Sequence, residues 1–202
     1  MIITDILDNN ARLYADEVAL VEINPKFEPQ SRITWRDYAL MQPEPGQPFR
    51  REITWEQFWK RANRFANLLL SRGLKKGTKV AVLLMNCLEW LPIYFGILKA
   101  GCIAVPMNFR YASDEIKYCL ELADVDVLVF GPEFVSRMDA ICDQIPTVKT
   151  LFYVGSNGPS YTEDCLNLMG YCSSSAPPVA MTEEDNAVIY FSSGTTGFPK
   201  AI

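Results

Sequence analysis

The residues best suited to chemistry lie near the end of the chain. Ser192-Ser193-Gly194-Thr195-Thr196-Gly197-Phe198-Pro199-Lys200 follows without a gap on the apolar run Ala187-Val188-Ile189-Tyr190-Phe191. Gly194 and Gly197 permit positive φ and let the backbone approach a ligand closely. The hydroxyls of Ser192, Ser193, Thr195 and Thr196, with consecutive backbone N–H groups, supply the kind of donors that surround phosphate oxygens. Lys200 adds a mobile positive charge suited to a polyphosphate. Strand, hydroxyl-rich glycine loop and lysine together form a candidate anion cradle. The P-loop pattern does not fit, because Gly194 and Gly197 are too close together and Lys200 follows Pro199 rather than a glycine. The dinucleotide fingerprint is absent as well. By composition alone, an ordinary Ser/Gly surface loop reads the same way.

The elements that must position this loop follow from periodicity. A first helix is predicted over Ile6 to Tyr14 and a strand over Val18 to Ile23. Residues 24–52, rich in Pro, Gln and charge, read as an irregular excursion. Within it Ile33-Thr34-Trp35 matches Ile53-Thr54-Trp55, but the copies diverge at once and define no repeat fold. The helix from Trp55 to Arg72 is the best signalled: Thr54 and Gln57 make a capping box, and Ile53 can staple against Phe58. Phe58, Ala62, Phe65, Ala66 and Leu69 fall on one helical face, and Gly73 closes it.

From there strands and helices alternate. The continuous apolar run Lys79 to Leu84 reads as a strand covered on both faces. A helix around Trp90 to Lys99, a strand at Ile103 to Pro106 and a helix at Asp114 to Ala123 capped by Ser113 follow. Next are a strand at Val127 to Phe130, a helix near Phe134 to Gln144 and a strand at Leu151 to Val154. Residues 155–180 break the rhythm, with residues 173–180 as a surface connector, before a last strand at Ala187 to Phe191. This alternation implies βαβ units: an α/β fold with a mostly parallel sheet and flanking helices. Residues 1–180 are expected to form a first α/β subdomain, and residues 181–202 to begin a nucleotide-binding region.

Bulk properties narrow the function classes. The chain has 202 residues, 49% of them hydrophobic and 21% charged, so a buried core is expected rather than disorder. A net charge of −5 argues against a nucleic-acid surface. There is no histidine, and none of the six cysteines forms a C-x-x-C pair, which argues against histidine catalysis and a structural zinc site. Cys87, Cys102 and Cys119 sit in apolar segments as small core residues, and a reducing compartment fits them. The start lacks the pattern of a signal peptide, and the longest apolar stretch, Leu88 to Leu98, is interrupted by Glu89 and Pro92. A soluble cytoplasmic protein with no transmembrane segment is expected.

The string from Tyr190 to Lys200 resembles the phosphate-loop signature of the adenylate-forming (AMP-binding) superfamily at every position. Two upstream blocks agree in order and spacing: Ile53-Thr54-Trp55-Glu56-Gln57-Phe58 through Val80-Ala81-Val82-Leu83-Leu84, and Leu98-Lys99-Ala100-Gly101-Cys102-Ile103-Ala104-Val105-Pro106-Met107-Asn108. The segment from Ala104 to Arg110 resembles the acyl-CoA branch, the acyl- and aryl-CoA ligases, more than peptide-synthetase adenylation domains.

The resemblance implies an ATP-dependent carboxylate–CoA ligase, which joins a carboxylate to ATP, releases pyrophosphate and passes the acyl group to coenzyme A. A carboxylate attacks an anionic phosphate poorly, so charge must be screened and the groups aligned. Ser192, Ser193, Gly194, Thr195, Thr196, Gly197 and Lys200 are the implied ATP-binding residues, with Mg²⁺ completing the neutralisation. Thr195 and Thr196 are chosen as phosphate contacts, Ser193 and Gly194 for the turn, and Lys200 as a supporting cation. In the family the adenine and ribose motifs, most of the acyl pocket and the catalytic lysine lie further on than Lys200. No catalytic residue is therefore expected in this chain, which reads as an N-terminal portion inactive by itself and prone to self-association. A peptide-synthetase adenylation domain and a non-catalytic nucleotide- or partner-binding module remain the alternatives.

Overall fold

A computed structural model describes residues 2–23, 50–192 and 199–202. The chain opens with α1 (Ile3–Leu13), whose first turn is closed by Asp5 accepting from the amide of Ile2 at 2.9 Å. Strand β1 (Val18–Ile23) pairs antiparallel with β2 (Arg50–Thr54), so the chain on both sides of the excursion forms one ladder. The expected irregular stretch thus gives way to strand at Arg50, and its residues 24–49 lie outside the described residues.

Helix α2 (Trp55–Ser71) begins where its cap demands. Thr54 Oγ1 accepts from the amide of Gln57 at 3.3 Å, and Gln57 Oε1 accepts from the amide of Thr54 at 3.0 Å. Ile53 and Phe58 share one buried cluster, as a staple requires. Gly73, at φ 77°, ends the helix.

Five parallel strands follow: β3 (Lys79–Leu83), β4 (Ile103–Pro106), β5 (Val127–Phe130), β6 (Thr150–Tyr153) and the two-residue β7 (Glu163–Asp164), in the order β4-β3-β5-β6-β7. The apolar run of β3 is explained by its two covered faces. Val80 and Val82 enter the core beneath α2 and α3 (Trp90–Lys99), while Ala81 and Leu83 enter the one beneath α4 (Ser113–Leu122). Pro92 is accommodated because it lies in the first turn of α3, where its missing N–H has no helical partner to lose. Phe65 on α2 and Phe152 on β6 meet edge-on at 6.3 Å, both without solvent exposure. Burial of one such side chain contributes about 1.5–3 kcal/mol.

Several expected elements differ, beginning with the first helix, which covers Ile3–Leu13 rather than Ile6 to Tyr14. Ser113 is the first residue of α4 and not its cap; Glu115 instead accepts from the amide of Ala112 at 2.8 Å. The helix expected over Phe134 to Gln144 is divided into a 3₁₀ turn (Pro132–Phe134), α5 (Val135–Asp139) and a second 3₁₀ turn (Cys142–Gln144). Phe134, Met138, Ile141 and Ile145 are all buried, and short turns satisfy that spacing as well as one helix does. The stretch where the strand–helix rhythm breaks, residues 155–180, contains α6 (Cys165–Tyr171), capped by Asp164, which accepts from the amide of Asn167 at 3.0 Å. No helix of the described residues is long and apolar enough to cross a membrane.

Candidate phosphate-binding hairpin

After α6 the chain crosses to the far edge of the sheet, and α2 guides it there. Asn63 Nδ2 donates to the carbonyl of Ser174 at 2.9 Å, and Asn67 Nδ2 donates to those of Ser173 and Ser175 at 2.8 and 2.9 Å. The expected surface connector is therefore held by side chains along its backbone. Further on, Lys76 Nζ donates to the carbonyl of Ala180 and pairs with Asp185 at 2.7 Å. That ammonium, with the amide of Thr182, holds the Asp185 carboxyl below the usual carboxylate range.

Gly101 supplies the space for this crossing. Its φ of 73° is costly for other residues, and a Cβ there would sit 3.1 Å from Val179 Cγ1 and 3.3 Å from Met181 Sδ. Its carbonyl also accepts from the amide of Gly77 at 2.8 Å.

Residues 187–189 then align beside β4. The amide of Ala104 donates to the carbonyl of Ala187 at 3.0 Å, and the amide of Ile189 donates to the carbonyl of Ala104 at 2.9 Å. The expected strand from Ala187 to Phe191 is thus a single parallel bridge, Ala104 to Val188, before pairing resumes in a hairpin. Because the bridge is parallel to β4, the chain leaves it past the carboxyl ends of the strands, where open α/β sheets bind their ligands.

The hairpin consists of β8 (Phe191–Ser192) and β9 (Lys200–Ala201), with Phe191 opposite Ala201 and Ser192 opposite Lys200. Tyr190 and Ile202 exchange both backbone hydrogen bonds, at 3.1 and 2.8 Å, which extends the ladder by one pair. Ile189 and Phe191 pack against the α4 side of the core, whereas Ala187 and Val188 pack against the α2 side. On α3 the Tyr94 hydroxyl is pushed up to about 12, first by burial and then by the neighbouring Tyr190.

Of the seven sequence-predicted site residues, Ser192 and Lys200 are brought face to face, and Lys200 is exposed. Ser193, Gly194, Thr195, Thr196 and Gly197 lie outside the described residues. Pro199 is buried beside Lys200, consistent with a residue that shapes the turn. Among the described residues, no group of three or more Asp, Glu, Cys or His side chains is placed to hold a metal ion.

The loop that follows β4 also ends at the carboxyl side of the sheet. Arg137 Nη1 fixes it by donating to the carbonyls of Phe109 and Tyr111 at 2.6 and 3.0 Å, while its guanidinium stacks 5.4 Å from the Phe134 ring. Sequence reading missed Asn63, Asn67, Lys76, Asp185 and Arg137. Each acts on backbone or charge far away in sequence, and no local pattern marks such a partner. Cys87, Cys102 and Cys119 offer no activated nucleophile: burial pushes the thiol of Cys102 up to about 11 and those of Cys87 and Cys119 up to about 12.

A parallel α/β sheet whose edge segment opens into a hydroxyl- and glycine-rich hairpin defines the class of architecture, and comparison with known proteins defines the family. The model of the AMP-binding enzyme family matches residues 7–202, and the chain belongs to that family. A medium/long-chain-fatty-acid–CoA/3-oxocholest-4-en-26-oate–CoA ligase of Mycolicibacterium smegmatis is 33% identical over 155 residues, covering 75% of this chain and 28% of that protein. The long-chain-fatty-acid–CoA ligase FadD13 of Mycobacterium tuberculosis is 31% identical over 151 residues, covering 74% and 29%. Among solved structures, the anthranilate CoA ligase AuaEII in complex with anthranoyl-AMP superposes with a TM-score of 0.80 at 26% identity, over 98% of this chain and 33% of that one. The chain spans under a third of the length of the curated relatives it matches, 28–30%.

Proposed function

We propose that this chain carries the first α/β subdomain and the phosphate-binding hairpin of an ATP-dependent carboxylate–CoA ligase. The observation that carries the reading is the hairpin itself. Its two strands bring Ser192 and Lys200 together at the mouth of a loop whose sequence matches the family signature at every position. Relatives among the matches are named as CoA ligases, which favours coenzyme A over a carrier protein as the acceptor.

In this reading the amides and hydroxyls of Thr195 and Thr196 donate to the β- and γ-phosphates of ATP, and Ser193 and Gly194 form the turn. Gly197 leaves room for the backbone beside the phosphates. Lys200, carried on β9, offsets phosphate charge from the opposite strand. Mg²⁺, when bound with ATP, would neutralise further phosphate charge. Pairing of β8 with β9 holds Ser192 and Lys200 across from each other at the mouth of the loop. Among the described residues no strand pairs with the outer side of residues 187–189, and self-association through that edge is part of the same reading.

The 202-residue chain by itself is expected not to form acyl-adenylate, because it matches under a third of the relatives' length. Pyrophosphate exchange with MgATP and a panel of medium- and long-chain acids tests this. Exchange at the level of a protein-free blank agrees with the reading, and acid-dependent exchange above the blank sinks it.

A further inference from the structure

A cavity of about 250 Å³ lies between α2, the start of α3 and α6, and none of its lining residues belongs to the hairpin or its connector. Its walls are Pro92, Ile93, Leu166 and Met169 on the apolar side, with Arg61, Arg64 and Glu89 as the charged groups. Arg61 and Arg64 stand one helical turn apart on α2 and so reach the same space. Arg61 Nη1 lies 3.7 Å from Glu89 Oε1, a loose pair. Arg64 Nε is buried without a hydrogen-bond partner among the described residues. A guanidinium nitrogen withdrawn from water with no acceptor is costly, and buried donors are ordinarily satisfied.

The charges of the lining specify what the cavity would take. Two guanidinium groups against one carboxylate leave one net positive charge, in a chain whose overall charge is −5. A monoanion matches that excess, whereas a phosphate dianion would bring its second charge against Glu89. The apolar wall asks for a hydrocarbon part next to the charged head. The volume falls below the roughly 300–1,000 Å³ of drug-sized sites, so the ligand is small. We infer that this cavity is a binding site for a short-chain monocarboxylate, with its carboxylate on Arg64 and Arg61 and its hydrocarbon against Ile93, Leu166 and Met169.

Hexanoate is the probe, titrated into the 202-residue chain and followed by calorimetry and by the Nε–H resonances of the arginines. The Arg64 Nε–H signal is expected to shift on titration. Hexanol, which lacks the charge, and inorganic phosphate, which lacks the hydrocarbon, should leave it in place. Arg64→Met keeps the apolar stem and should weaken hexanoate about tenfold or more, the effect of losing a charge-assisted hydrogen bond. Met169→Trp leaves both arginines intact and should block binding by filling the space. An unmoved Arg64 signal at saturating hexanoate would overturn the assignment, and so would equal binding of phosphate. Undiminished affinity in both variants would overturn it as well. The Arg64 shift in the unaltered chain decides the matter even if a variant fails to fold. Hexanoate binding here stands or falls independently of whether residues 192–200 grip ATP, because the two sites share no residue.

Discussion

The amide of Ile189 donates to the carbonyl of Ala104 at 2.9 Å, one half of the only bridge by which the described residues of the terminal segment join the five-stranded sheet. Ala104 lies on β4 in the core, without solvent exposure, and Ile189 leads directly into the hairpin. The rigid sheet and the candidate phosphate loop are therefore connected through one residue's amide and carbonyl. Groups that secure the connector, chiefly Lys76, Gly101 and Asp185, act on the loop through that bridge.

Gly101→Ala should loosen this connection. The substitution forces a side chain into a left-handed backbone conformation and against Val179, at 3.1 Å. A destabilisation of about 1–3 kcal/mol is expected, visible as a lower urea midpoint. Hydrogen exchange at the Ile189 amide should speed up more than at Val82 in the sheet interior. Equal protection at both sites in the variant would show that Gly101 does not govern the seating of the segment.

Thr54→Ala removes one arm of the capping box at the start of α2. A loss of about 1 kcal/mol is expected, with an unchanged denaturant slope. The effect matters for the site because α2 carries Asn63 and Asn67, which hold the connector at Ser173 to Ser175. A stability within error of the parent would mean that the packing of α2 and not its cap fixes the start of the helix.

Stability should fall in alkali. Burial raises the thiol of Cys102 to about 11, and those of Cys87 and Cys119 to about 12, from an ordinary value of 9.0. The folded chain keeps these protons where the unfolded chain releases them. The corresponding stabilisation is complete below about pH 9 and is lost as pH rises through 11 to 12. Urea midpoints measured between pH 8 and pH 11 should decline with pH, and a flat profile would contradict the burial of these thiols. Thiol reagents at pH 8 should leave Cys102 and Cys119 unmodified until denaturant is added.

Much of the frame was legible because its signals are local. The boundaries of Val18–Ile23, Ile103–Pro106 and Val127–Phe130 follow from short apolar runs between turn residues, and Thr54 with Gln57, three residues on, marks the start of α2. What escaped reading depends on distant partners. Strand β2 is strand because β1 lies beside it, and α6 is a seven-residue helix held by burial of Cys165 and Met169. The loop's glycines and hydroxyls mark it as a candidate anion cradle, but give no sign of the hairpin that closes it. Phe191 and Ser192 alone do not indicate that Lys200 and Ala201 return alongside them. The brace formed by Lys76 and Asp185, over a hundred positions apart, leaves no pattern in either neighbourhood.

The central claim is that residues 192–200 grip the phosphates of ATP, and amide NMR of the 202-residue chain titrated with MgATP tests it most directly. The account predicts weak binding, with shifts concentrated between Ser192 and Lys200. Inorganic tripolyphosphate should reproduce those shifts, adenosine should not, and Lys200→Ala should diminish them. Shifts caused equally by adenosine, or an unchanged 192–200 segment at saturating MgATP, would contradict it.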